Sequence, residues 1–309
     1  MAFGSTSVVT AGSWARLDGE ARFTPRFAGV AGTTYVVLGR ESADERWSEL
    51  VRVLVPDVGL LPNAVVESID PGGEWVPANL LRVSVTFSAS MGEGSAAGRI
   101  HLLDEAGAEI LGALMEMPPE LWDREHRRLT ILLEPGRIKR GLQPNLQAGP
   151  PLREGEKVTL VVDSDIRDAR GASLRAGASR SYRVGAPVRS RVDPGLWQVR
   201  WPREPNDPLV IGFDRPLDRA LVQRCLRVVD GNGHPLPGRA SLDADARHWA
   251  FTPADMSGDF ALHIDTRLED LAGNSVRRVF DRDLQHRGDD GIEAAVVVLG
   301  PEARNRFDA

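Results

Sequence analysis

The side chains that could do chemistry are few and badly spaced for it. Cys225 is the only cysteine, and no Gly-x-Ser-x-Gly elbow presents a serine nucleophile. Gly92-Glu93-Gly94-Ser95 stands in a Gly/Ser-rich stretch that reads as a turn. The six histidines are His101, His126, His234, His248, His263 and His286, and none makes a short-range pair with metal-ligand spacing. Asp163 and Asp168 recur downstream as Asp265 and Asp270. A glycosidase pair needs two carboxyls opposed across about 5–10 Å, whereas duplicated acids at matching turns are more simply shared folding residues. One basic cluster remains: Arg137, Lys139 and Arg140, within a segment from Gly136 to Leu152. These three are the ligand-binding candidates, with donors suited to carboxylates, phosphates or sulfated sugars. The competing and preferred reading pairs Arg137 and Arg140 with Glu116, Glu120 or Asp123 to fix a long loop.

These residues belong to a chain of 309 residues, 42% hydrophobic and 27% charged, with 31 Gly and 21 Pro. That length allows two or three domains with cores of their own. The lone cysteine excludes a disulfide framework and a cysteine-based zinc site. A net charge of -6 argues against general affinity for nucleic acid or anionic membranes. No apolar run approaches the roughly 18 residues a membrane span needs. Residues Met1 to Trp14 show neither a basic n-region nor an apolar h-region, so no secretory signal is read there. No cofactor or metal is expected.

Sliding the chain on itself by 126 positions uncovers a repeat. Phe87-Ser88-Ala89-Ser90-Met91 falls on Phe213-Asp214-Arg215-Pro216-Leu217, and Asp104-Glu105-Ala106-Gly107 on Asp230-Gly231-Asn232-Gly233. Cys225 falls on Arg99, no counterpart for a nucleophile, so it reads as a small buried hydrophobe. With length changes in loops, Leu132-Leu133-Glu134-Pro135 is matched to Ala250-Phe251-Thr252-Pro253. Val158 to Asp163 is matched to Phe260 to Asp265, and Asp168-Ala169-Arg170-Gly171 to Asp270-Leu271-Ala272-Gly273. The segment from Gly136 to Leu152 has no counterpart. The period is that of a whole domain. At the front, Phe23-Thr24-Pro25, Gly32 and Tyr35 to Leu38 match only the second half of the unit. Half a sandwich leaves edges uncovered, so the expectation is a chain that lacks its true start; the alternative is a fragment packed on the next domain.

Each unit reads as β. Leu81, Val83, Val85 and Phe87 alternate with polar neighbours, and Leu209 to Ile211, Leu226 to Val229 and Val158 to Val162 are short apolar runs rich in β-branched residues. Helix is expected only over Asp218 to Cys225 and, with strand as the alternative, over Ser42 to Val53. Trp197, Val199 and Trp201 fall on one strand face, expected to bury an inter-domain contact, with an exposed stacking platform as the alternative. Trp122 and Trp249 are expected to plug sandwich ends or cores. Residues Ile292 to Leu299 add an edge strand or link onward, and Pro301 to Ala309 reads as frayed.

Two stretches, Phe213 through Leu217 and Leu268-Glu269-Asp270-Leu271-Ala272-Gly273-Asn274, resemble the bacterial Ig-like domains of surface-layer and other exported bacterial proteins. The resemblance covers about 60 to 284; the middle unit departs from it at Ser90-Met91 and at Arg170-Gly171-Ala172, which lacks the Asn. It implies an all-β fold of tandem Ig-like β-sandwiches with a partial N-terminal unit. The divisions expected are 1–57 (partial unit), 58–185 (sandwich with the basic insertion), 186–284 (sandwich) and 285–309 (C-terminal extension). The resemblance also implies a non-enzymatic structural or interaction module, extracellular or periplasmic, spacing or binding a protein or glycan partner, and rod-like in shape. Without a signal in the chain, a cytoplasmic location is the alternative. The competing function is a carbohydrate-binding module, which the low aromatic content of 6% weakens. A third reading places calcium at Glu269, Asp270 and Asn274.

Overall fold

The computed structural model describes residues 10–27, 29–30, 32–40, 46–56, 61–204, 207–254, 259–282 and 293–301. It begins with two antiparallel hairpins. The first joins β1 (Gly12–Leu17) to β2 (Glu20–Pro25) through Asp18 and Gly19, both at positive φ, as a tight two-residue hairpin turn requires. The second pairs β3 (Thr34–Gly39) with β4 (Ser48–Leu54).

The middle unit follows with β5 (Val66–Asp70), β6 (Trp75–Pro77), β7 (Arg82–Phe87), β8 (Ile100–Leu103), β9 (Leu121–Trp122) and β10 (Arg128–Leu132). After the short helices α1 (Pro135–Ile138) and α2 (Gln143–Ala148) come β11 (Lys157–Val162) and β12 (Ala178–Gly185). They form one sheet in the order β5-β7-β10-β9 and another in the order β6-β12-β11-β8. The third unit contains β13 (Gln198–Arg200), β14 (Leu209–Gly212), α3 (Arg219–Cys225), β15 (Leu226–Asp230), β16 (Gly238–Leu242), β17 (His248–Pro253), β18 (Phe260–Asp265) and β19 (Val296–Leu299). Its sheets run β13-β14-β17-β16 and β15-β18-β19. The fold is all-β, with two two-sheet sandwiches in tandem behind the N-terminal hairpins.

Period-2 alternation sets each core. Val83, Val85 and Phe87 point inward from β7, while Arg82, Ser84 and Thr86 are half-buried on its other face. Val158, Leu160 and Val162 meet them from β11. Each such side chain, fully buried, contributes roughly 1.5–3 kcal/mol. In the third unit Leu209, Ile211, Leu262 and Ile264 play the same parts.

The repeat is visible in hydrogen bonds as well as strand order. Met91 bridges Asp168 as Leu217 bridges Asp270, and Arg167 bridges Ser173 as Glu269 bridges Ser275. Asp123 Oδ1 accepts from the Arg127 amide, Asp243 Oδ1 from the Arg247 amide, and His126 and Ala246 share a φ of 53°. This geometry corrects one alignment. Arg128 lies opposite Thr86 and His248 opposite Gly212, so Leu133, not Pro135, is the counterpart of Pro253. Pro135 instead opens α1, where its missing N–H costs nothing.

The helix expected over Asp218 to Cys225 is α3, with Asp218 as its cap: Oδ1 accepts from the Leu221 amide at 2.9 Å. The ambiguous stretch ending at Val53 is the strand β4, and 41–45 lie outside the described residues. The edge strand is β19, antiparallel to β18; Gly258, His286, Ile292 and the tail beyond Pro301 are outside the description. Trp197, Val199 and Trp201 are buried together, as their spacing demanded, but in the third unit's own core. The expected inter-domain contact is corrected here: the 3₁₀ turn at Pro194–Leu196 lays this strand along β14, under Phe213 and Phe260. Trp249 lies in that core too, and Trp122 closes one end of the middle sandwich against Phe87 and His126.

Candidate functional site: the joint between the two sandwiches

The linker from Ala186 to Asp193 is held by both units. The Asn79 side chain donates to the Val188 carbonyl at 2.7 Å and accepts from its amide at 2.8 Å. From the other side, Asn274 Nδ2 donates to the same carbonyl at 2.9 Å and to Asp270 Oδ2 at 3.0 Å. Both asparagines are buried. A buried amide earns its place only when its donors and acceptors are matched, and here the match spans two units. The Asn that the middle unit lacks at Ala172 is therefore, in the third unit, a clasp on the incoming linker.

Around this clasp the faces interlock. The Leu81 amide donates to the Leu271 carbonyl at 2.9 Å. Leu271, from the third unit, belongs to the hydrophobic cluster of the middle unit, and Phe280 packs against it, partly buried. Arg82 pairs with Asp218 at 3.1 Å and with Glu269, so the carboxylate that caps α3 also anchors the neighbour. Arg219 returns the contact to Asp70 at 2.9 Å and donates to the Ala244 carbonyl at 3.0 Å. Gly72 is pressed against that same carbonyl so closely that a Cβ would not fit. A cavity of about 300 Å³ opens beside the joint, lined among others by Glu74, Trp75, Arg215, Asp245 and Arg247.

The basic segment ends at the joint. Arg137 is buried, and its guanidinium donates to the carbonyls of Gly149, Leu111, Pro150 and Ala148 at 2.9–3.4 Å. Arg140 Nε meets Asp281 Oδ2 at 2.7 Å, and Arg189 Nε reaches the same oxygen at 3.3 Å. The Lys139 ammonium sits 4.6 Å from the Phe280 ring centroid. The three candidate cations are thus not convergent: Arg137 closes its own loop, while Lys139 and Arg140 reach across to the third unit. Pairing within the domain is corrected too, for Glu120 instead accepts from the Gly94 and Ala96 amides and Trp122 Nε1, and Asp123 from the amides of its own turn.

The duplicated aspartates shape turns. Asp168 Oδ1 accepts from the amides of Arg170 and Ala172, and Asp270 Oδ1 from those of Ala272 and Asn274. Burial pushes the Asp270 carboxyl above the usual carboxylate range, against the pull of Asn274 and Arg215. With Glu269 on Arg82, Asp270 on these donors and the Asn274 oxygen accepting from the Phe280 amide, the three proposed calcium ligands face protein partners. No group of three or more His, Cys, Asp or Glu fit to hold a metal occurs among the described residues. Cys225 is a core residue whose thiol burial pushes up.

Sequence reasoning missed Asn79, Arg82, Arg219 and Asp281. Only the Asn274/Ala172 difference between the repeats was a visible signal.

No family model and no curated protein matches the chain. Among solved structures, the N-terminal part of the bacterial S-layer protein SbsC is similar at 12% identity and TM-score 0.28, covering 78% of this chain and 44% of that one. Alpha-2-macroglobulin from Escherichia coli, domains MG0-NIE-MG1, is similar at 8% identity and TM-score 0.26, with 77% and 71% covered. The N-terminal eight Ig domains of Down Syndrome Cell Adhesion Molecule are similar at 9% identity and TM-score 0.22, with 83% and 34% covered. The chain thus spans less than half the length of the SbsC structure.

Proposed function

We propose that the chain is a structural or interaction module without catalytic activity, in which two Ig-like sandwiches are held in one fixed orientation to space or present a partner at the cell surface or in the periplasm. The repeat units belong to this reading: 1–57, 58–185 and 186–284, with 285–309 returning β19 to the third unit. One observation carries it. Val188 of the linker is clasped by Asn79 and Asn274 at once, which removes the freedom a short linker otherwise leaves between domains. A spacer whose length matters needs that loss of freedom; a chain of independent binding modules does not.

Small-angle scattering on the whole chain checks it. The native chain is expected to scatter as a single rigid particle, and the N79A/L271A/N274A variant, which removes the clasp together with the shared core contact, to show the broadened distance distribution of two hinged bodies. A native chain already scattering as hinged bodies overturns the reading.

A further inference from the structure

The cavity beside the joint is one that neither sandwich makes alone. One wall is the loop from Pro71 to Glu74 in the middle unit, and the other is the turn of the third unit that carries Asp245 and Arg247. Both walls are fixed from behind. The Tyr182 hydroxyl donates to the Pro71 carbonyl at 3.1 Å, Arg180 donates to the Gly72 carbonyl, and the Arg183 amide donates to the Glu74 carbonyl at 2.8 Å. Opposite them, Asp243 Oδ1 accepts from the Arg247 amide at 2.8 Å, and Arg219 ties Asp70 to the Ala244 carbonyl. A volume of about 300 Å³ lies at the lower end of the range of small-molecule sites, which are found preferentially at domain boundaries.

An aromatic ring and three uncommitted charges meet in this space. Trp75 lines the cavity yet is 58% exposed, with the Arg183 guanidinium 5.8 Å from its ring centroid. Arg215 is neutralised where it stands, between Asp214 at 2.8 Å and Asp270 at 3.3 Å. The other charged groups are not. Among the described residues no hydrogen bond or ion pair engages the carboxylates of Glu74 and Asp245. The Arg247 guanidinium gives one long bond, 3.4 Å to the Asp214 carbonyl. Asp245 lies against the opposite wall, where a Cβ on Gly73 would come within 3.5 Å of its Oδ1.

We propose that the cavity is a binding site for a neutral, hydroxyl-rich ligand, a short saccharide. The charges decide the class. A phosphate or carboxylate would be set against Glu74 and Asp245, and an amine against Arg247 and Arg215. A sugar meets neither obstacle. Its hydroxyls donate to the two carboxylates and accept from the Arg247 guanidinium, while the apolar face of its ring covers the Trp75 indole. A ligand that bridges both walls binds the docked units and not the separated ones, so it stabilises the joint by mass action. The proposal goes beyond the spacer role: it rests on the docked joint, but a chain that scatters as one rigid particle can still fail to bind.

The test titrates the full chain by NMR with cellobiose, maltose, lactose and di-N-acetylchitobiose, and in parallel with inorganic phosphate and tetralysine. The expected result is saturable binding of at least one disaccharide, with Kd in the millimolar range or tighter, a shift of the Trp75 indole N–H signal and a raised melting temperature. That signal is assigned by its loss in W75F. W75A should weaken binding at least tenfold, and D245N and E74Q at least threefold each. H101Q, on β8 at the opposite edge of the sheet from β6, should leave it unchanged. Where W75A fails to fold, the near-isosteric D245N and E74Q carry the test. The proposal is overturned if no disaccharide binds, if the E74Q/D245N double variant binds undiminished, or if phosphate or tetralysine shifts the Trp75 signal instead.

Discussion

Two histidines show how position decides charge at the scale of one residue. His101 lies between carboxylates, with Nδ1 3.0 Å from Glu109 and Nε2 3.3 Å from Asp163, and hydrogen bonding to Glu109 holds its pKa above the ordinary histidine value despite partial burial. His126 is buried between the rings of Phe27 and Trp122, and burial together with nearby Arg26 holds its pKa below that value, outweighing Asp123. The consequences for stability have opposite signs. A raised folded pKa adds stability that is complete below the unfolded value of roughly 6.5 and fades as pH rises through the folded pKa. A lowered one adds stability present above roughly pH 6.5 and lost as acid protonates the unfolded chain in preference to the folded one. An NMR titration of the imidazoles is therefore expected to place His101 above the ordinary value and His126 below it. The H101Q variant should lose more melting temperature, relative to the native chain, at pH 5.5 than at pH 8. Equal losses at both values would remove the carboxylate pairing from the account.

Among the elements, the basic insertion tests how a loop without a counterpart is built. The buried Arg137 guanidinium ties together four carbonyls, those of Ala148, Gly149 and Pro150 at the end of α2 and that of Leu111, so replacing it by methionine removes the charge-assisted bonds that close the loop. The expected cost of R137M is about 2 kcal/mol, with amide exchange accelerating over residues 135–150. R140M, which touches the joint instead, should leave those amides unchanged; similar acceleration in both variants would contradict the division of labour. Strands, turns and the capped helix α3 were legible because each follows from local rules of period, cap and turn chemistry. The alignment slipped by two residues at Leu132 to Pro135 because loop lengths change between the repeats, and only the pairing of Arg128 with Thr86 fixes the register. The destination of Arg140 was not legible at all. Its partner Asp281 lies 141 residues away, and no local pattern encodes a contact made by docking one unit on another.

Taken as a whole molecule, the chain shares one core across a domain boundary. Leu271, only 8% exposed, belongs to the middle unit's cluster although it stands in a turn of the third, directly after the aspartate that shapes that turn. Its amide-bearing neighbours are fixed by Asp270, its carbonyl accepts from Leu81, and Gly273 packs so tightly on Leu81 that a Cβ there has no room. Unfolding the third unit therefore exposes part of the middle unit's core, which couples the two thermodynamically as well as geometrically. The coupling rests on burial more than on the ion pairs at the rim: Arg140 is half exposed, and Arg189 still reaches the buried Asp281 carboxylate when Arg140 is replaced. Calorimetry on the native chain is expected to show the two sandwiches melting together. In L271A, which forfeits about 2–5 kcal/mol of burial and packing, the transition should split in two, with the middle unit shifted down. R140M at the rim should leave it single. A native chain that already melts in two separate steps, or a split produced by the rim substitution alone, would mean that charge and not the shared core ties the units together.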